Sequence, residues 1–386
     1  MRPTSTAFII PLLNLITAIA ALSSEAETIF QRLISSPFAD IDNGPSATSI
    51  SPSLFTDIER LARLVDITYC VGTSGIYQPF TCASRCKEFP NLRLASTWNT
   101  GVLLSDSCGY VAVDEGSEDG KEKPAIIVAF RGTYSLANTV VDLSTVPQEY
   151  VPYPDPGDGG NKKPGSGTES KCANCTVHMG FLESWRQARK LVLPVLKNAR
   201  AMHSNYPIRI VGHSLGGAVA CLAALELKLA LGWDDVTVTT FGEPQVGNVG
   251  FVDFVDKVFG LMNEDSPESD LEKRTYRRVT HVDDPVPLLP LSEWGYRPHG
   301  GEVFITKQHL SPGLEDLRLC RGDEDPACIA GSDEGLLGVP SRLKLWQLLF
   351  AHRDYFWRLG LCVPGGDPSD WGRPPYNVSD GHPDEL

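Results

Sequence analysis

Gly212-His213-Ser214-Leu215-Gly216 is the stretch from which the fold of this chain can be inferred. A short apolar run, Ile208 to Val211, precedes it, and an alanine- and leucine-rich stretch, Ala218 to Leu231, follows it. This order predicts a strand, a sharp turn and a helix, with the serine held at the end of a sheet. Small residues around the serine permit the close backbone approach that such a turn requires. The segment predicts a serine nucleophile, and the alternative is a glycine-rich turn with an inactive serine.

Short β-rich runs alternate with helical patterns over most of the chain. The runs cover 109–113, 125–130, 208–211, 236–241, 277–282 and 302–306, and helical patterns cover 54–67, 181–201 and 218–231. Alternation of this kind predicts an α/β fold with a mostly parallel central sheet flanked by helices. We expect one domain over residues 50–365, with a Pro- and Gly-rich surface insertion at 150–171.

The N- and C-terminal segments lack the alternation of strands and helices and contain features of targeting signals. Residues 1–23 contain Arg2, an apolar stretch and small residues where a signal peptidase would cut, which predicts a secretory signal peptide. We expect an irregular leader at 24–49 and a flexible tail at 366–386. The tail ends in Asp384-Glu385-Leu386, so retention in the endoplasmic reticulum is the alternative to secretion. No later segment is apolar for long enough to predict a transmembrane helix.

The net charge and the cysteines indicate which kinds of partner, compartment and metal the sequence favours or excludes. The formal net charge is −14 at pH 7 and the basic residues are scattered, which argues against a nucleic-acid partner. Ten cysteines, and glycosylation sequons at Asn174 and Asn377, fit an oxidising compartment. Several cysteines are closely spaced, and zinc is the less favoured alternative to disulfides because no second pair lies at zinc-finger spacing. We expect no metal and no cofactor.

A serine nucleophile needs a histidine to accept its proton and a carboxylate to orient that histidine. In folds that hold a serine at this kind of turn, the acid and then the histidine follow it in the chain. Asp284 lies where a predicted strand enters a proline-stiffened loop, and Asp283 is the neighbour to exclude. His352 is favoured as the base. The other histidines after the acid are His299, His309 and His382.

The oxyanion of a tetrahedral intermediate requires two hydrogen-bond donors. We expect these from Leu215, through its backbone N–H, and from Thr133, which follows the run at 125–130. The next residues, Ser135 to Leu143, have apolar positions at helical spacing. They predict a short amphipathic helix that covers the site as a lid over about 134–146, and an ordinary surface helix is the alternative.

Five ordered motifs resemble the fungal class 3 lipases of the Rhizomucor type and the related feruloyl esterases. The motifs are Phe130-Arg131-Gly132-Thr133, Val177-His178-Met179-Gly180-Phe181, the Ser214 segment, Gly242-Glu243-Pro244-Gln245-Val246-Gly247-Asn248 and Asp284-Pro285-Val286-Pro287. The resemblance covers roughly residues 50–365. It implies an α/β-hydrolase fold, with Ser214 as nucleophile, Asp284 as orienting acid, His352 as base, and Thr133 and Leu215 as the oxyanion hole.

The same resemblance implies four disulfides and a lid. The pairs are Cys70 with Cys362, Cys82 with Cys86, Cys172 with Cys175 and Cys320 with Cys328. Cys108 and Cys221 are left over, and Cys221 is expected to be a buried free thiol. Asp142 falls at the position of a lid aspartate. Thr139 stands where some lipase lids carry a tryptophan, which weakens the expectation of interfacial activation.

These features together predict a secreted, monomeric serine hydrolase that cleaves tri- and diacylglycerol esters at an oil–water interface through an acyl-serine intermediate. The alternatives with the same chemistry are a soluble-ester esterase such as a feruloyl esterase, a phospholipase A1 and an acyltransferase. The alternative of another class is a catalytically silent lipid-binding relative.

Overall fold

A nine-stranded sheet forms the centre of the computed structural model, which describes residues 48–101, 106–120, 122–133, 147–150, 172–261, 271–332, 350–364 and 366–368. The strands in chain order are β1 Thr48–Ser49, β2 Ile76–Tyr77, β3 Thr81–Cys82, β4 Leu92–Asn99, β5 Cys108–Asp114, β6 Ala125–Phe130, β7 Pro147–Glu149, β8 Thr176–His178, β9 Ile208–His213, β10 Val236–Phe241, β11 Gly247–Asn248, β12 Tyr276–His281, β13 Tyr296–Arg297, β14 Glu302–Ile305 and β15 Leu317–Leu319. The α-helices of the described residues are α1 Pro52–Ile67, α2 Met179–Met202, α3 Leu215–Leu229 and α4 Val249–Phe259.

The central strands of the large sheet are parallel and its edges are antiparallel. The strand order is β1-β15-β14-β12-β10-β9-β6-β5-β4. Strands β6, β9, β10, β12 and β14 pair in parallel, while β4, β5, β15 and β1 extend the two edges in antiparallel fashion. The expectation of an α/β fold with a mostly parallel centre is confirmed. Because the carboxyl ends of parallel strands meet at one edge, the loops after β6, β9, β10 and β12 converge there.

Helices cover both faces of this sheet. On one face α2, α3 and α4 build an apolar cluster with side chains such as Trp185 and Leu222. On the other face α1 packs with the C-terminal segment that includes Phe356 and Leu359. Helix α3 is buried without interruption from Leu215 to Leu227, as expected for a helix that is apolar on all sides.

Several elements were not expected from the sequence, among them β4, β15 and α4. Strand β4 was not predicted, although its side chains alternate between inward and exposed positions along the whole strand; the inward position 96 holds a half-buried serine, which breaks the apolar pattern in the sequence. The leader was expected to be irregular throughout 24–49, but Thr48 and Ser49 pair with β15 and extend the sheet. The rest of the leader, the signal peptide, the lid at 134–146, the insertion from 151 onward and the tail beyond 368 lie outside the described residues.

Four disulfides join the cysteines as the resemblance implied. They are Cys70–Cys362, Cys82–Cys86, Cys172–Cys175 and Cys320–Cys328. Cys108 and Cys221 are buried free thiols. The bond between Cys70 and Cys362 attaches the C-terminal segment to the turn that follows α1. Within the described ranges, no helix is both long and apolar enough to cross a bilayer.

Burial of α3 predicts a large difference between two chemically identical substitutions. Leu225 of α3 is 0% exposed and Leu191 of α2 is 50% exposed. We expect Leu225→Ala to lower the free energy of unfolding by about 2–5 kcal/mol, because it removes apolar contacts and leaves a cavity. The matched Leu191→Ala change should cost less than about 1 kcal/mol. Denaturant titration measures both, and equal losses would contradict the packing described for α3.

Candidate active site

Ser214 occupies a strained turn between β9 and α3. Its backbone has φ 58° and ψ −131°, in a region that residues with a side chain seldom adopt. The turn is held by two backbone hydrogen bonds: the Ser214 N–H donates to Phe241 O at 2.9 Å, and the Gly217 N–H donates to Ser214 O at 2.8 Å. Strain of this kind persists only where the surrounding structure enforces it, and it is common at functional sites.

The glycines on either side of Ser214 are required by close backbone contact. A Cβ atom on Gly212 would lie 2.3 Å from Gly216 O, and one on Gly216 would lie 2.6 Å from Phe130 O. Neither neighbour is a flexible side chain that could move aside. The sequence interpretation, in which small residues permit the tight turn, therefore agrees with the contacts.

Asp284 and His352 form a buried pair at the same edge of the sheet. His352 Nδ1 lies 2.8 Å and 3.0 Å from the two carboxylate oxygens of Asp284. The structure places Asp284, and not Asp283, against the imidazole. Because Nδ1–H donates to the carboxylate, the neutral ring has its unprotonated nitrogen at Nε2, as a proton acceptor requires.

Further donors keep Asp284 ionised. Its carboxylate accepts the Val286 N–H at 2.9 Å and the Tyr355 hydroxyl. Burial by itself raises the pKa of Asp284, but the charge of His352 and the hydrogen bonds from His352, Tyr355 and Val286 outweigh it and leave the pKa below its usual value. An ionised Asp284 can fix the orientation of His352 and stabilise its protonated form.

Ser214 Oγ and His352 Nε2 are both buried, and neither has a hydrogen-bond partner among the described residues. Gly242 lies next to both residues. It directly follows Phe241, whose carbonyl accepts the Ser214 N–H, and a Cβ on Gly242 would lie 2.7 Å from His352 Cε1. A hydroxyl and an imidazole nitrogen are complementary, and catalytic hydrogen bonds are often long before substrate binds. The Asp284–His352 bond is formed in this structure, whereas a Ser214–His352 bond is not.

The loop after β6 lies against the serine. A Cβ on Gly132 would lie 2.8 Å from Ser214 Cβ, so this backbone packs directly on the serine side chain. Arg131 supports the loop, since its guanidinium donates to Val71 O at 2.6 Å and to Gly132 O at 3.2 Å. Thr133, the predicted second donor to the oxyanion, is the next residue after Gly132. Leu215 begins α3, where the first N–H groups have no acceptor within the helix and favour negative charge.

Sequence reasoning missed several residues of this region. Tyr355 is fully buried against Asp284, and its place three residues after His352 was the available signal. His299 lies in the connection before β14, and its imidazole is buried with Nε2 3.0 Å from Glu243 Oε1. His309 is exposed on the surface, and His382 lies outside the described residues. Among the described histidines considered for the base, His352 alone contacts Asp284 in the structure.

Two side-chain clusters have the residue types of a metal site. Cys221, Glu243 and His299 offer ligand atoms that lie within 4.8 Å of one another. Glu243 also accepts hydrogen bonds from Tyr276 at 2.9 Å and from Thr240 at 2.5 Å, so hydrogen bonding already accounts for this cluster. In the second cluster, Glu302 stands beside Cys320 and Cys328, whose sulfurs are joined in a disulfide.

The parallel-centred sheet, with its strained serine turn between strand and helix, is an α/β-hydrolase fold. A family model described as "Lipase (class 3)" matches residues 127–294. "Secreted mono- and diacylglycerol lipase 2" of Gibberella zeae is 59% identical over 364 residues, which cover 86% of this chain and 88% of that protein. The chain therefore belongs to the class 3 lipase family and is a carboxylic ester hydrolase.

Other similarities agree with this family. "Lipase A" of Sodiomyces alcalophilus is 58% identical over 359 residues, covering 84% of this chain and 86% of that protein. The crystal structure of the Lip2 lipase of Yarrowia lipolytica superposes with a TM-score of 0.68 at 31% identity, covering 83% of this chain and 99% of that one. The native propeptide complex of Rhizomucor miehei lipase has a TM-score of 0.58 at 24% identity, covering 82% and 85% respectively, and supports the fold.

The contacts of Asp284 predict how Tyr355→Phe changes stability with pH. A carboxyl group whose folded pKa is lowered stabilises the protein above its ordinary pKa, about 3.9, and this contribution is lost as the pH falls through the folded pKa. Removing the Tyr355 hydroxyl raises the folded pKa of Asp284 toward its ordinary value. At pH 7 the variant should therefore lose about 1.5–3 kcal/mol of unfolding free energy, and this loss should shrink in acid.

Tyr110→Phe is the matched control, because the buried Tyr110 hydroxyl donates to the neutral Leu64 carbonyl at 2.8 Å. Its cost should be about 0.5–1.5 kcal/mol and should not change with pH. Denaturant titrations of both variants and the wild type between pH 3 and pH 7 give the comparison. A Tyr355→Phe loss that stays constant over this range would show that the hydroxyl does not act through the charge of Asp284.

Proposed function

We propose that this chain hydrolyses the carboxylic esters of mono- and diacylglycerols, with Ser214 as nucleophile, His352 as general base and acid, and Asp284 as the group that orients His352. The observation that carries the proposal is the buried Asp284–His352 pair at the sheet edge where Ser214 has its strained backbone. Among the residues that the structure describes, neither His352 Nε2 nor Ser214 Oγ has a hydrogen-bond partner. The substrate class is suggested by the name of the Gibberella zeae relative. Triacylglycerol, expected from the sequence, is the substrate to compare.

The geometry supports an acyl-enzyme route. Ser214 Oγ attacks the ester carbonyl carbon while His352 Nε2 accepts the hydroxyl proton, and Asp284 stabilises the imidazolium that results. The tetrahedral oxyanion accepts hydrogen bonds from Leu215 N–H and from Thr133. His352 then protonates the leaving glyceride oxygen. Water repeats these steps on the acyl-Ser214 ester, releasing the fatty acid and restoring the serine.

Substrate must reach a serine that is 0% exposed in this structure. We propose that residues 134–146, which follow Thr133 directly, act as the lid and that the enzyme contacts lipid surfaces transiently. We further propose a secreted monomer, with a signal peptide at 1–23. Four disulfides and the word "Secreted" in the name of the relative support this location.

Ser214→Ala should abolish fatty-acid release from mono- and diacylglycerol, because no acyl-enzyme can form. The assay is titration of fatty acid from emulsified mono-, di- and triacylglycerol and from soluble short-chain p-nitrophenyl esters. A p-nitrophenyl alkylphosphonate should label wild-type Ser214 and leave the variant unmodified. Retained turnover by a correctly folded Ser214→Ala protein would refute the proposal. Activity of the wild type on soluble esters alone would identify an esterase instead.

Thr133→Val tests the oxyanion hole, because valine keeps the backbone N–H and the side-chain shape but removes the hydroxyl. We expect kcat to fall by roughly 100-fold with little change in KM, since the hydrogen bond forms only as charge develops. Thr133→Ser restores a hydroxyl and should recover most of the rate. If valine and serine variants have equal kcat, the Thr133 side chain does not serve the oxyanion.

A further inference from the structure

His213, the residue before Ser214, makes hydrogen bonds that the proposed reaction does not use. Its ring is buried, with Nε2 2.8 Å from the carbonyl oxygen of His352 and Nδ1 against the hydroxyl of Tyr69. Tyr69 lies in the short 3-10 turn after α1, beside the Cys70–Cys362 disulfide. The nucleophile strand is thereby bonded to the residue proposed as base and to the end of α1.

The two partners fix the tautomer of His213. A carbonyl oxygen only accepts hydrogen bonds, so Nε2 must have the hydrogen and donate it to His352. Nδ1 then has a lone pair and accepts the Tyr69 hydroxyl proton. The pKa of His213 is lowered to about 3 by burial first and by the charge of His352 second, so its ring is neutral at neutral pH.

Stacking of the two imidazole rings is a second contact between His213 and His352. The rings of His213 and His352 stack with centroids 4.7 Å apart and an interplanar angle of 30°. His213 is itself held in β9, where it pairs in register with Phe241 of β10. His352 therefore rests on a rigid surface built from the strand that presents Ser214. This surface stays uncharged when His352 gains its proton, so it adds no repulsion to the imidazolium.

We propose that His213 and Tyr69 are positioning residues for catalysis, which hold the imidazole of His352 at the place where it can take the proton of Ser214. The proposal rests on the proposed function. Tyr69 orients His213, and His213 in turn fixes His352 through its Nε2–H and its ring face. Neither residue has to touch the substrate. Their loss should therefore lower kcat and leave KM nearly unchanged.

Two substitutions separate the bond to His352 from the bond to Tyr69. The amide of His213→Gln extends to the position of Nε2 and keeps a donor for His352 O. The shorter amide of His213→Asn matches Nδ1 and keeps a partner for Tyr69, but it loses the donor to His352. Tyr69→Phe removes the hydroxyl that bonds to His213 Nδ1. Tyr110→Phe, which deletes a buried hydroxyl that donates to Leu64 O, is the matched control.

Steady-state hydrolysis of p-nitrophenyl butyrate, a soluble ester, gives kcat and KM without an interface. We expect His213→Asn to lower kcat by about 10- to 100-fold, in keeping with the cost of a small misplacement of a catalytic group. His213→Gln should retain kcat to within about 5-fold, and Tyr69→Phe should lower it by about 3- to 10-fold. KM should stay within about 2-fold for all three. Tyr110→Phe should leave kcat unchanged.

Phosphonate labelling distinguishes this inference from the function on which it rests. If the probe modifies wild-type Ser214, labelling rates of the variants should follow their kcat values. If the probe modifies another residue or none, the proposed function fails and this inference fails with it. Wild-type kcat in His213→Asn, equal losses in the Asn and Gln variants, or a loss confined to KM would overturn the positioning role alone. If His213→Asn does not fold, an unchanged kcat in Tyr69→Phe would overturn it.

Discussion

The left-handed backbone at Ser214 is the constraint on which the rest of the structure depends. A conformation of this kind costs about 1–3 kcal/mol, so it must be enforced by its surroundings. On the N-terminal side of Ser214, strand β9 enforces this conformation, because β9 is paired in parallel with β6 on one side and β10 on the other. On the C-terminal side, helix α3 enforces this conformation, since burial of the helix from Leu215 to Leu227 fixes where it begins. The glycines at 212 and 216 permit the resulting contact, and the serine hydroxyl is left at the edge of the sheet.

Parallel strand pairing by itself places most of the site residues at this edge, because the loops that carry them follow neighbouring strand ends. The ends of β6, β9, β10 and β12 supply Thr133, Ser214, Gly242 and Asp284 in turn, as expected where parallel strands end together. His352 is the exception, because it comes from the C-terminal segment and not from a strand end. Its segment is accordingly attached by several independent bonds: the Cys70–Cys362 disulfide, the Tyr355 bond to Asp284 and the His213 bond to its own carbonyl.

The sequence predicted those features that local patterns encode. The elements at 125–130, 208–213, 236–241 and 276–281 were predicted nearly to the residue, because short runs that contain β-branched or aromatic residues and alternate with helical patterns are typical of strands. The order of the motifs also led to Ser214, Asp284 and His352, whose roles stay predictions. The bond between His213 and His352 joins residues 139 apart, and no periodicity or spacing reports such a contact. The register shift in β4 was missed for the related reason that it depends on the pairing with β5. Helix α4 was missed although the sequence contains its signals, namely apolar residues at helical spacing between Asn248 at the start and Gly260 at the end.

Hydrogen bonding separates the proposed base His352 from buried structural imidazoles such as those of His299 and His213. His299 has both nitrogens engaged, Nε2 with Glu243 Oε1 at 3.0 Å and Nδ1 with Gly300 O at 2.9 Å. His213 has both engaged as well, with Tyr69 and His352. In His352 the carboxylate occupies Nδ1, and Nε2 has no partner within the described part of the chain. A carboxylate neighbour alone is therefore not diagnostic, since His299 also has one. What distinguishes His352 is a buried nitrogen that can accept a proton, at the edge where the Ser214 hydroxyl likewise has no hydrogen-bond partner among the described residues.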